Sequence, residues 1–398
     1  MTAPLEGIRV LDLSRVLAGP WCTMTLADLG AEVWKVENPD GGDDTRKWGP
    51  PFAAGESAYF LAINRNKQGI AVDLRNPGGR AVVRALAEKA DVLVENYRAG
   101  ALARYGLDWP TLSAVNPRLV YCSISAYGRA SPMADRPGYD FVVQAEGGLM
   151  AITGEAGSEP MKVGVAICDV LAGKDATQAI LAALIARGRT GRGQHIDIAL
   201  LDATVAALVN VGSAWLVSRV APGRYGNAHP TTVPYQTFPT ADGTLVLACG
   251  NDLQYRALCA HVLARPDLAT DPRFARNVDR VSHRTTLVAL LQEIFRTATT
   301  AEWFAKAQAA GVPAGIVRDV PQVLSAPEVH ARGMVARVEH PTIGALDIVA
   351  SPLRLSDTPV VVPTPPPTLG QHTDQVLRDV LGYPADRIAA LRAEGAVS

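Results

Sequence analysis

"GIRVLDLSRVLAGPWCTMTLADLGAEVWKVE", residues 7–37, alternates extended and helical patterns within one short stretch. The runs "IRVLDL" (8–13) and "AEVWKVE" (31–37) are typical of strands, and the residues from Pro20 to Leu29 predict a helix that stops at Gly30. A strand, a helix and a second strand of these lengths predict a βαβ unit, in which the two strands run parallel.

The same alternation continues to about residue 200. Further predicted strands are "GIAVDL" (69–74), "DVLVENY" (91–97), "RLVYCSIS" (118–125) and "QHIDIAL" (194–200). Helical patterns cover 77–90, 142–152 and 170–187. Strands separated by helices predict an α/β fold: a large Rossmann-like domain whose parallel sheet is covered by helices on both faces.

A different pattern begins near residue 225. The segment "VPYQTFPTADGTLVLACG" (233–250) predicts a hairpin that turns at Asp242 and Gly243, and helical patterns follow at 252–263, 280–297 and 300–310. Thr299 and Glu302 have the spacing of a capping box. We therefore expect a second, smaller α+β domain.

These patterns divide the chain into five segments. They are the N-terminal part of the large domain (1–200), a linker helix (201–224), the small domain (225–325), a return segment with the proline-rich linker "PVVVPTPPPTLG" (326–370), and C-terminal helices that complete the large domain (371–398).

Composition narrows the class of partner. The net charge is −1 and hydrophobic residues make up 48 %, which predicts no bulk attraction to nucleic acid or to an anionic membrane. The apolar stretch 203–218 contains Asn210 and Gly212, so we expect a buried helix rather than a membrane span. The N-terminal sequence lacks the pattern of a secretory signal, which predicts a cytoplasmic protein, and the five cysteines are expected to be reduced core residues.

Asp169 is the first candidate for chemistry, because "GVAICDVLAG" (164–173) places this single carboxylate among apolar residues and glycines at the start of a predicted helix. It could cap the helix by accepting a backbone N–H bond. It could also be a nucleophile, kept ionised by the helix N-terminus and poorly hydrated by its neighbours. Both interpretations fit the sequence. Cys168 beside it is either a packing residue or a reactive thiol.

Polar and basic residues elsewhere suit a ligand that carries phosphates. The basic ones are Lys35, Arg46, Arg65, Lys67, Arg75, Arg98 and Arg104, mostly just beyond predicted strand ends. Each alone is typical of a solvated surface charge, but together at one sheet edge they could bind several phosphate oxygens. The scattered histidines predict no metal site, and the first turn lacks the glycine fingerprint of a nicotinamide dehydrogenase.

Several blocks in this order resemble the class III CoA-transferases of the CaiB/BaiF type. Besides residues 7–37, they are "NRNKQGIAVDLR" (64–75), "VLVENYRAG" (92–100), "RYGLD" (104–108), "RPGYD" (136–140), "GVAICDVLAG" (164–173) and "LGQHTDQVL" (369–377). The resemblance covers nearly the whole chain and makes the large domain the one that binds coenzyme A.

The resemblance implies that Asp169 is the nucleophile. Acyl-CoA would acylate its carboxylate to an aspartyl anhydride, the CoA thiolate would convert the anhydride into an aspartyl-CoA thioester, and an acceptor acid would reverse both steps. The substrates would be an acyl-CoA and a small carboxylic acid, with no permanently bound cofactor. Residues implied in CoA contacts are Val16, Ala18, Val72, Asp73, Leu74, Arg75, Asn96, Tyr97, Arg98, Arg104, Arg136, Pro137, Gly138, Tyr139 and Asp140. Backbone amides near Ala18 and Tyr139 are candidate donors to the thioester oxygen.

Departures from related enzymes narrow the activity. Formyl-CoA transferase has a glutamine in place of Leu17, so formyl and oxalyl transfer are not expected. The related α-methylacyl-CoA racemases have a histidine in place of Tyr139, and a phenol is a poor base, so transfer is favoured over racemisation. A non-catalytic acyl-CoA-binding protein is the third possibility. Succinate is a candidate acid, and "RYGNAHP" (224–230) is either a second carboxylate site or a linker.

The resemblance also implies an interlocked, ring-like homodimer. Its active site would lie between the large domain of one subunit and the small domain of the other.

Overall fold

A computed structural model describes residues 2–398. Its strands are β1 (Arg9–Asp12), β2 (Glu32–Glu37), β3 (Phe52–Ala53), β4 (Glu56–Ser57), β5 (Lys67–Ala71), β6 (Val92–Glu95), β7 (Val120–Ser125), β8 (His195–Ala199), β9 (Tyr235–Pro239), β10 (Thr244–Ala248), β11 (Ala314–Ile316), β12 (Val335–His340) and β13 (Gly344–Val349).

The helices alternate with these strands. They are α1 (Ala18–Asp28), α2 (Ala58–Ala62), α3 (Pro77–Lys89), α4 (Trp109–Val115), α5 (Asp140–Glu146), α6 (Leu149–Ile152), α7 (Ile167–Thr190), α8 (Leu200–Ala206), α9 (Val209–Ser218), α10 (Asp252–Ala257), α11 (Asp267–Thr270), α12 (Asn277–Ser282), α13 (Arg284–Phe295), α14 (Thr300–Ala309), α15 (Val320–Leu324), α16 (Pro327–Ala331), α17 (Thr373–Asp379) and α18 (Ala385–Ala393). Short 3₁₀ helices cover Asp44–Lys47 and Ala103–Tyr105, and a π-helical turn covers Leu258–Val262.

The first of two compact units contains residues 2–149, 162–219 and Pro327–Ser398. Its six-stranded sheet has the order β5-β2-β1-β6-β7-β8, and all five neighbouring pairs are parallel. The predicted α/β fold with a parallel sheet is confirmed. From β1 the chain adds β2 and β5 on one side, and from β6 it adds β7 and β8 on the other. The switch point of the sheet therefore lies between β1 and β6.

Helices bury the two faces of this sheet in separate apolar clusters. Residues of α1, α7 and α8 cover one face, including Cys22, Ala176 and Ala203. Residues of α3, α4, α17 and α18 cover the other, including Val83 and Ile388. The predicted burial of the cysteines is confirmed, because all five are free and buried.

Helices α1 and α7 approach each other closely at Gly173. A Cβ atom at this position would lie 2.6 Å from the carbonyl oxygen of Ala18, so a larger residue would force the helices apart. This close approach at Gly173 brings the first turns of α7 against the start of α1. This contact positions Asp169 beside the loop that follows β1.

Several predicted helix boundaries were wrong. Helix α7 begins at Ile167, three residues before the predicted start, so Asp169 lies inside its first turn. The pattern at 142–152 corresponds to α5 and α6, which are separated at Gly148 with a φ angle of +85°. The pattern at 280–297 is likewise split, because α12 ends at Ser282 and α13 begins at Arg284.

The second unit contains residues 150–161 and 220–326. Its three-stranded antiparallel sheet has the order β11-β10-β9, and the β9–β10 hairpin turns at the predicted Asp242 and Gly243. The predicted capping box of α14 is also confirmed, since Thr299 and Glu302 bond each other's backbone N–H groups. A core that includes Phe238, Leu291 and Trp303 supports this unit.

The segment predicted to be a buried helix forms α8 and α9 instead. No residue of α9 is buried, and its Leu216 and Val217 side chains are 58 % and 87 % exposed. In residues 2–398 no single helix is long and apolar enough to cross a bilayer, and α8 with α9 reaches that length only as a pair bent by 73°.

Candidate active site

The candidate site lies at the carboxyl ends of β1 and β6, on either side of the switch point of the sheet. The loop after β1 and the loop after β6 are tied together by two hydrogen bonds. The backbone N–H of Arg15 donates to Asn96 Oδ1 at 2.9 Å, and Asn96 Nδ2 donates to the Arg15 carbonyl at 2.7 Å. Ligands of open parallel sheets bind at this place.

A cleft of about 330 Å³ opens here, and we call it the arginine cleft. It is lined by Arg15, Val16, Leu17, Ala18, Asp44, Asn96, Tyr97, Arg98, Ala99, Ile124, Ser125, Ala126, Ala134, Arg136, Pro137, Gly138, Tyr139, Asp169 and Leu200. The structure thus brings together Asp169 and nine of the fifteen residues predicted to contact CoA. Its three arginines are suited to phosphate oxygens.

A second cavity, of about 510 Å³, lies beside the first, and we call it the aromatic pocket. It is lined by Val16, Trp48, Tyr59, Tyr139, Asp140, Phe141, Lys162, Val165, Ala166 and Asp169. Val16, Tyr139 and Asp169 belong to both linings. Asp169 therefore faces two spaces, one rich in arginine and one rich in aromatic side chains.

The capping interpretation of Asp169 was wrong. The N-cap of α7 is Ala166, and no side chain of the helix itself accepts a capping bond. Instead, Asp140 Oδ1 accepts the backbone N–H of Cys168 at 2.7 Å and that of Asp169 at 3.4 Å. Because the neighbouring carboxylate of Asp140 satisfies these amides, the Asp169 side chain is left available for chemistry.

Burial and the negative charge of Asp140 raise the pKa of Asp169 to about 7. The expectation that the helix N-terminus keeps this carboxylate fully ionised therefore needs correction, since desolvation outweighs that effect. Near neutral pH the group is poised between its two protonation states. Burial also raises the pKa of the adjacent Cys168 thiol to about 11, which supports packing rather than reactivity for Cys168.

Gln144 connects Asp140 to the segment that leads into α7. This fully buried side chain donates to Asp140 Oδ2 at 2.7 Å and accepts the backbone N–H of Val163 at 2.8 Å. It also donates to the Val165 carbonyl at 3.3 Å. One buried network thus fixes both the start of α7 and one wall of the aromatic pocket.

Val16, which is common to both cavities, has a left-handed backbone with a φ angle of +70°. This conformation is unfavourable for a β-branched residue and requires support from its surroundings. Asp43 supplies that support, because its carboxylate oxygens accept the Val16 N–H at 3.3 Å and pair with Lys35 Nζ at 2.9 Å. The side chains of Asp43 and Lys35 are fully buried.

The turn at Val16 is followed by unpaired backbone amides at the start of α1. Among residues 2–398, no acceptor is found for the backbone N–H groups of Leu17 and Ala18, and both residues line the arginine cleft. Unpaired N–H groups at a helix start are suited to a carbonyl oxygen that gains negative charge. Their position agrees with the predicted donor near Ala18.

Six residues predicted to contact CoA lie outside the arginine cleft. Val72, which directly follows β5, is buried. The exposed Arg75 pairs with Asp73 at 3.0 Å, and Arg104 donates to the Ala101 carbonyl at 3.2 Å. Leu74 packs partly buried against the core, and Asp140 lines the aromatic pocket. Contacts with CoA stay predictions for all fifteen residues, the nine in the cleft and these six outside it.

Four of the basic residues grouped as candidate phosphate ligands are paired inside the protein, so that part of the hypothesis was wrong. Lys35 pairs with Asp43 and Lys67 with Asp12, and all four side chains are fully buried. Arg46 pairs with Glu37 at 2.7 Å, and Arg65 pairs with Asp28. They stabilise the strands and helices beneath the cleft instead of facing a ligand.

Sequence reasoning missed several lining residues. Trp48 and Tyr59, whose rings meet edge to face at 5.2 Å, come from a loop and a short helix without any periodic pattern. Lys162 precedes the block around Asp169, and Arg15 lies beside the predicted Val16. Arg15 and Lys162 could have been found by their proximity to the quoted blocks, whereas the positions of Trp48 and Tyr59 depend on the fold.

Comparison with known proteins identifies the family of this chain. The model of CoA-transferase family III matches residues 5–373. A protein of Agrobacterium fabrum named succinate–glutarate CoA-transferase is 45 % identical over 95 % of this chain and 96 % of its own length. A Mus musculus protein named succinyl-CoA:glutarate CoA-transferase is 43 % identical over 99 % of this chain and 90 % of its own length. The crystal structure of a CaiB/BaiF family protein from Brucella suis superposes with a TM-score of 0.85, at 44 % identity, over 95 % of this chain and all of the other.

The fold and the cleft thus define an enzyme of the CoA-transferase class. More specifically, the chain belongs to CoA-transferase family III, as the resemblance of its sequence blocks implied.

Proposed function

We propose that the protein transfers coenzyme A from the CoA thioester of a dicarboxylic acid, such as succinyl-CoA, to a free dicarboxylate such as glutarate, with Asp169 as the nucleophile. The observation that carries this proposal is the position of Asp169, which lies where the arginine cleft meets the aromatic pocket. Phosphates of CoA would lie against the arginines, and the acyl group would enter the pocket. The names of the two relatives support the choice of acids.

The reaction takes place in two symmetric halves. The Asp169 carboxylate attacks the thioester carbonyl carbon and the C–S bond breaks. The CoA thiolate departs, and the acyl group is then joined to Asp169 as an aspartyl acyl anhydride. The thiolate then attacks the Asp169 carbonyl carbon, which releases the first acid and forms an aspartyl-CoA thioester. The acceptor carboxylate attacks this thioester to form a new anhydride and thiolate, and the thiolate attacks the acceptor's acyl carbon to regenerate Asp169.

Two features of the site favour these steps. The amides of Leu17 and Ala18 are available to stabilise the oxyanion of each tetrahedral intermediate. The raised pKa of Asp169, about 7, makes its carboxylate more basic than an ordinary one and therefore a stronger nucleophile once deprotonated.

Racemisation of an acyl-CoA fits the site less well, because it needs a base on each side of the α-carbon. No histidine is among the described residues that line either cavity. Burial and the negative charges of Asp169 and Asp140 raise the pKa of Tyr59 to about 12, so its phenol would remain protonated at neutral pH.

We also propose that the protein acts as the interlocked homodimer that the resemblance implies. The apolar side chains of α9 support a second copy as the occupant of this surface, since Val209, Leu216 and Val217 are each more than half exposed.

A product screen tests the proposed activity. Purified protein is mixed with succinyl-CoA and glutarate in D₂O, and all CoA esters are identified by mass spectrometry. We expect glutaryl-CoA and free succinate in equal amounts, without deuterium at the α-carbon. Deuterium incorporation without acid exchange would show a racemase, and binding of acyl-CoA without any new ester across a panel of dicarboxylates would show a non-catalytic binding protein.

A further inference from the structure

Lys162 is the cation of the aromatic pocket. The other charged residues in the lining are Asp140 and Asp169. Both oxygens of Asp140 accept hydrogen bonds, and Asp169 has the role of nucleophile. A ligand in this pocket would therefore meet one positive group, which is an ammonium.

The ammonium of Lys162 has no carboxylate partner among the described residues of its own unit. Within residues 2–398, its one hydrogen bond joins Nζ to the carbonyl of the next residue, Val163, at 3.3 Å. By contrast, Lys35 and Lys67 are held in buried ion pairs. Lys162 is thus free to pair with an anion that enters the pocket.

The backbone beside Lys162 is fixed by the same network that fixes the nucleophile. Gln144 holds Val163 and Val165 on one side and bonds Asp140 on the other, and Asp140 in turn caps the helix that carries Asp169. One buried network thus supports both the backbone next to the cation and the helix turn that carries the nucleophile. Such a pair can recognise two ends of one small molecule.

The rest of the lining of the aromatic pocket is mainly apolar. Trp48, Tyr59, Phe141 and Val165 surround the space and suit a short methylene chain. A second carboxylate placed among them without a counter-ion would lose hydration with little compensation. Lys162 removes this penalty for a dicarboxylate, whereas a monocarboxylate gains nothing from it.

We infer that Lys162 determines the specificity of the enzyme for dicarboxylic acids by pairing with the carboxylate that does not react, while Asp169 exchanges the other one. This inference rests on the proposed function. It assigns to the aromatic pocket the class of acid that it binds, a straight-chain aliphatic dicarboxylate.

Internal competition between two isosteric acceptors tests the assignment. The enzyme is given succinyl-CoA with equimolar glutarate and glutaramate, the monoamide, which has the same shape but a neutral distal end. The ratio of the two product CoA esters gives the ratio of their kcat/KM values, independently of the donor step.

We expect the wild-type enzyme to prefer glutarate, and Lys162→Met to lower the product ratio by roughly tenfold or more, the effect of losing one charge-assisted hydrogen bond. Lys162→Arg should keep the preference. Lys174→Met, at an exposed position of α7 that lines neither cavity, is the matched control and should leave the ratio unchanged.

The outcomes separate this inference from the proposed function. An unchanged ratio in Lys162→Met, with both products still formed, would overturn the role of Lys162 and leave CoA transfer intact. Absence of both products from the wild-type enzyme would instead contradict the proposed function. A loss of glutarate selectivity with retained glutaramate turnover would support both.

Discussion

The arginine cleft and the aromatic pocket share Val16, Tyr139 and Asp169 but otherwise differ in chemistry. The cleft has three arginines and several backbone amides, which suit the constant part of the substrate, the phosphates of CoA. The pocket has aromatic walls and one lysine, which suit the part that changes between donor and acceptor. We therefore propose that affinity for CoA and selectivity among acids are set by separate residues, and that substitutions in the shared wall affect both.

The largest expected effect comes from removing the carboxylate of Asp43, which supports Val16 in that shared wall. In Asp43→Asn, the fully buried Lys35 loses its charge partner, so the free energy of unfolding should fall by about 3 kcal/mol, and activity should fall with every acid. Denaturant titration and acceptor kinetics measure the two effects.

Asp44→Asn is the matched control for Asp43→Asn. Its pair with Arg15 is about half exposed, with side-chain exposures of 52 % and 45 %, and should contribute less than about 1 kcal/mol. Equal stability of the Asp43 and Asp44 variants would contradict the role assigned to the buried pair.

A smaller effect is expected from Asp140→Asn, which tests how the charge of Asp140 affects Asp169, where the two cavities meet. An asparagine oxygen can still accept the Cys168 N–H, but the negative charge beside Asp169 is removed. The pKa of Asp169 should fall below 7, and burial should keep it above the ordinary value. Because the deprotonated form is the nucleophile, the rising limb of kcat/KM for acyl-CoA should move to lower pH by about one unit.

The pH dependence of kcat/KM, measured for the wild type and for Asp140→Asn, checks this shift. Asp175→Asn, further along α7 and outside both cavities, should leave the profile unchanged. A limb that stays in place or moves to higher pH in Asp140→Asn would show that Asp140 does not raise the pKa of Asp169.

The smallest effect is expected in the cleft, where the proposed binding mode divides the phosphates of CoA among three arginines. In the described part of the chain, the Arg98 guanidinium donates only to the Asp135 carbonyl, at 2.7 Å. Arg98→Gln should raise the KM for acyl-CoA roughly fivefold while leaving selectivity between glutarate and glutaramate unchanged. Arg84→Gln, at an exposed pair on α3, is the control. A change of acid selectivity in Arg98→Gln would contradict the separation between the two cavities.

Local patterns predicted much of this molecule. The strand and helix signals of residues 7–37 led to the parallel sheet, and the apolar setting of Asp169, together with the family resemblance, made it the candidate nucleophile among 39 acidic residues. Blocks next to strand ends also led to most of the arginine cleft. Such signals are readable because each depends on residues that are near one another in the chain.

Features that depend on distant contacts were not predictable in this way. Asp140 caps a helix that begins 27 residues later. Because the local sequence does not show this distant cap, Asp169 was a candidate for the capping role. Lys35 and Lys67 looked like surface charges because nothing in their local sequence shows that they pair inside the protein with Asp43 and Asp12. Trp48 and Tyr59 reach the pocket only through the tertiary fold.

The most direct measurement of the central claim is the chemical state of Asp169 during turnover. The enzyme is incubated with succinyl-CoA, treated with hydroxylamine, digested, and analysed by peptide mass spectrometry, with free CoA and the Asp169→Asn variant as controls. We predict a hydroxamate on Asp169 that appears only with the acyl-CoA and only in the wild-type enzyme. Continued transfer without modification of Asp169, or a hydroxamate on another residue, would contradict the account.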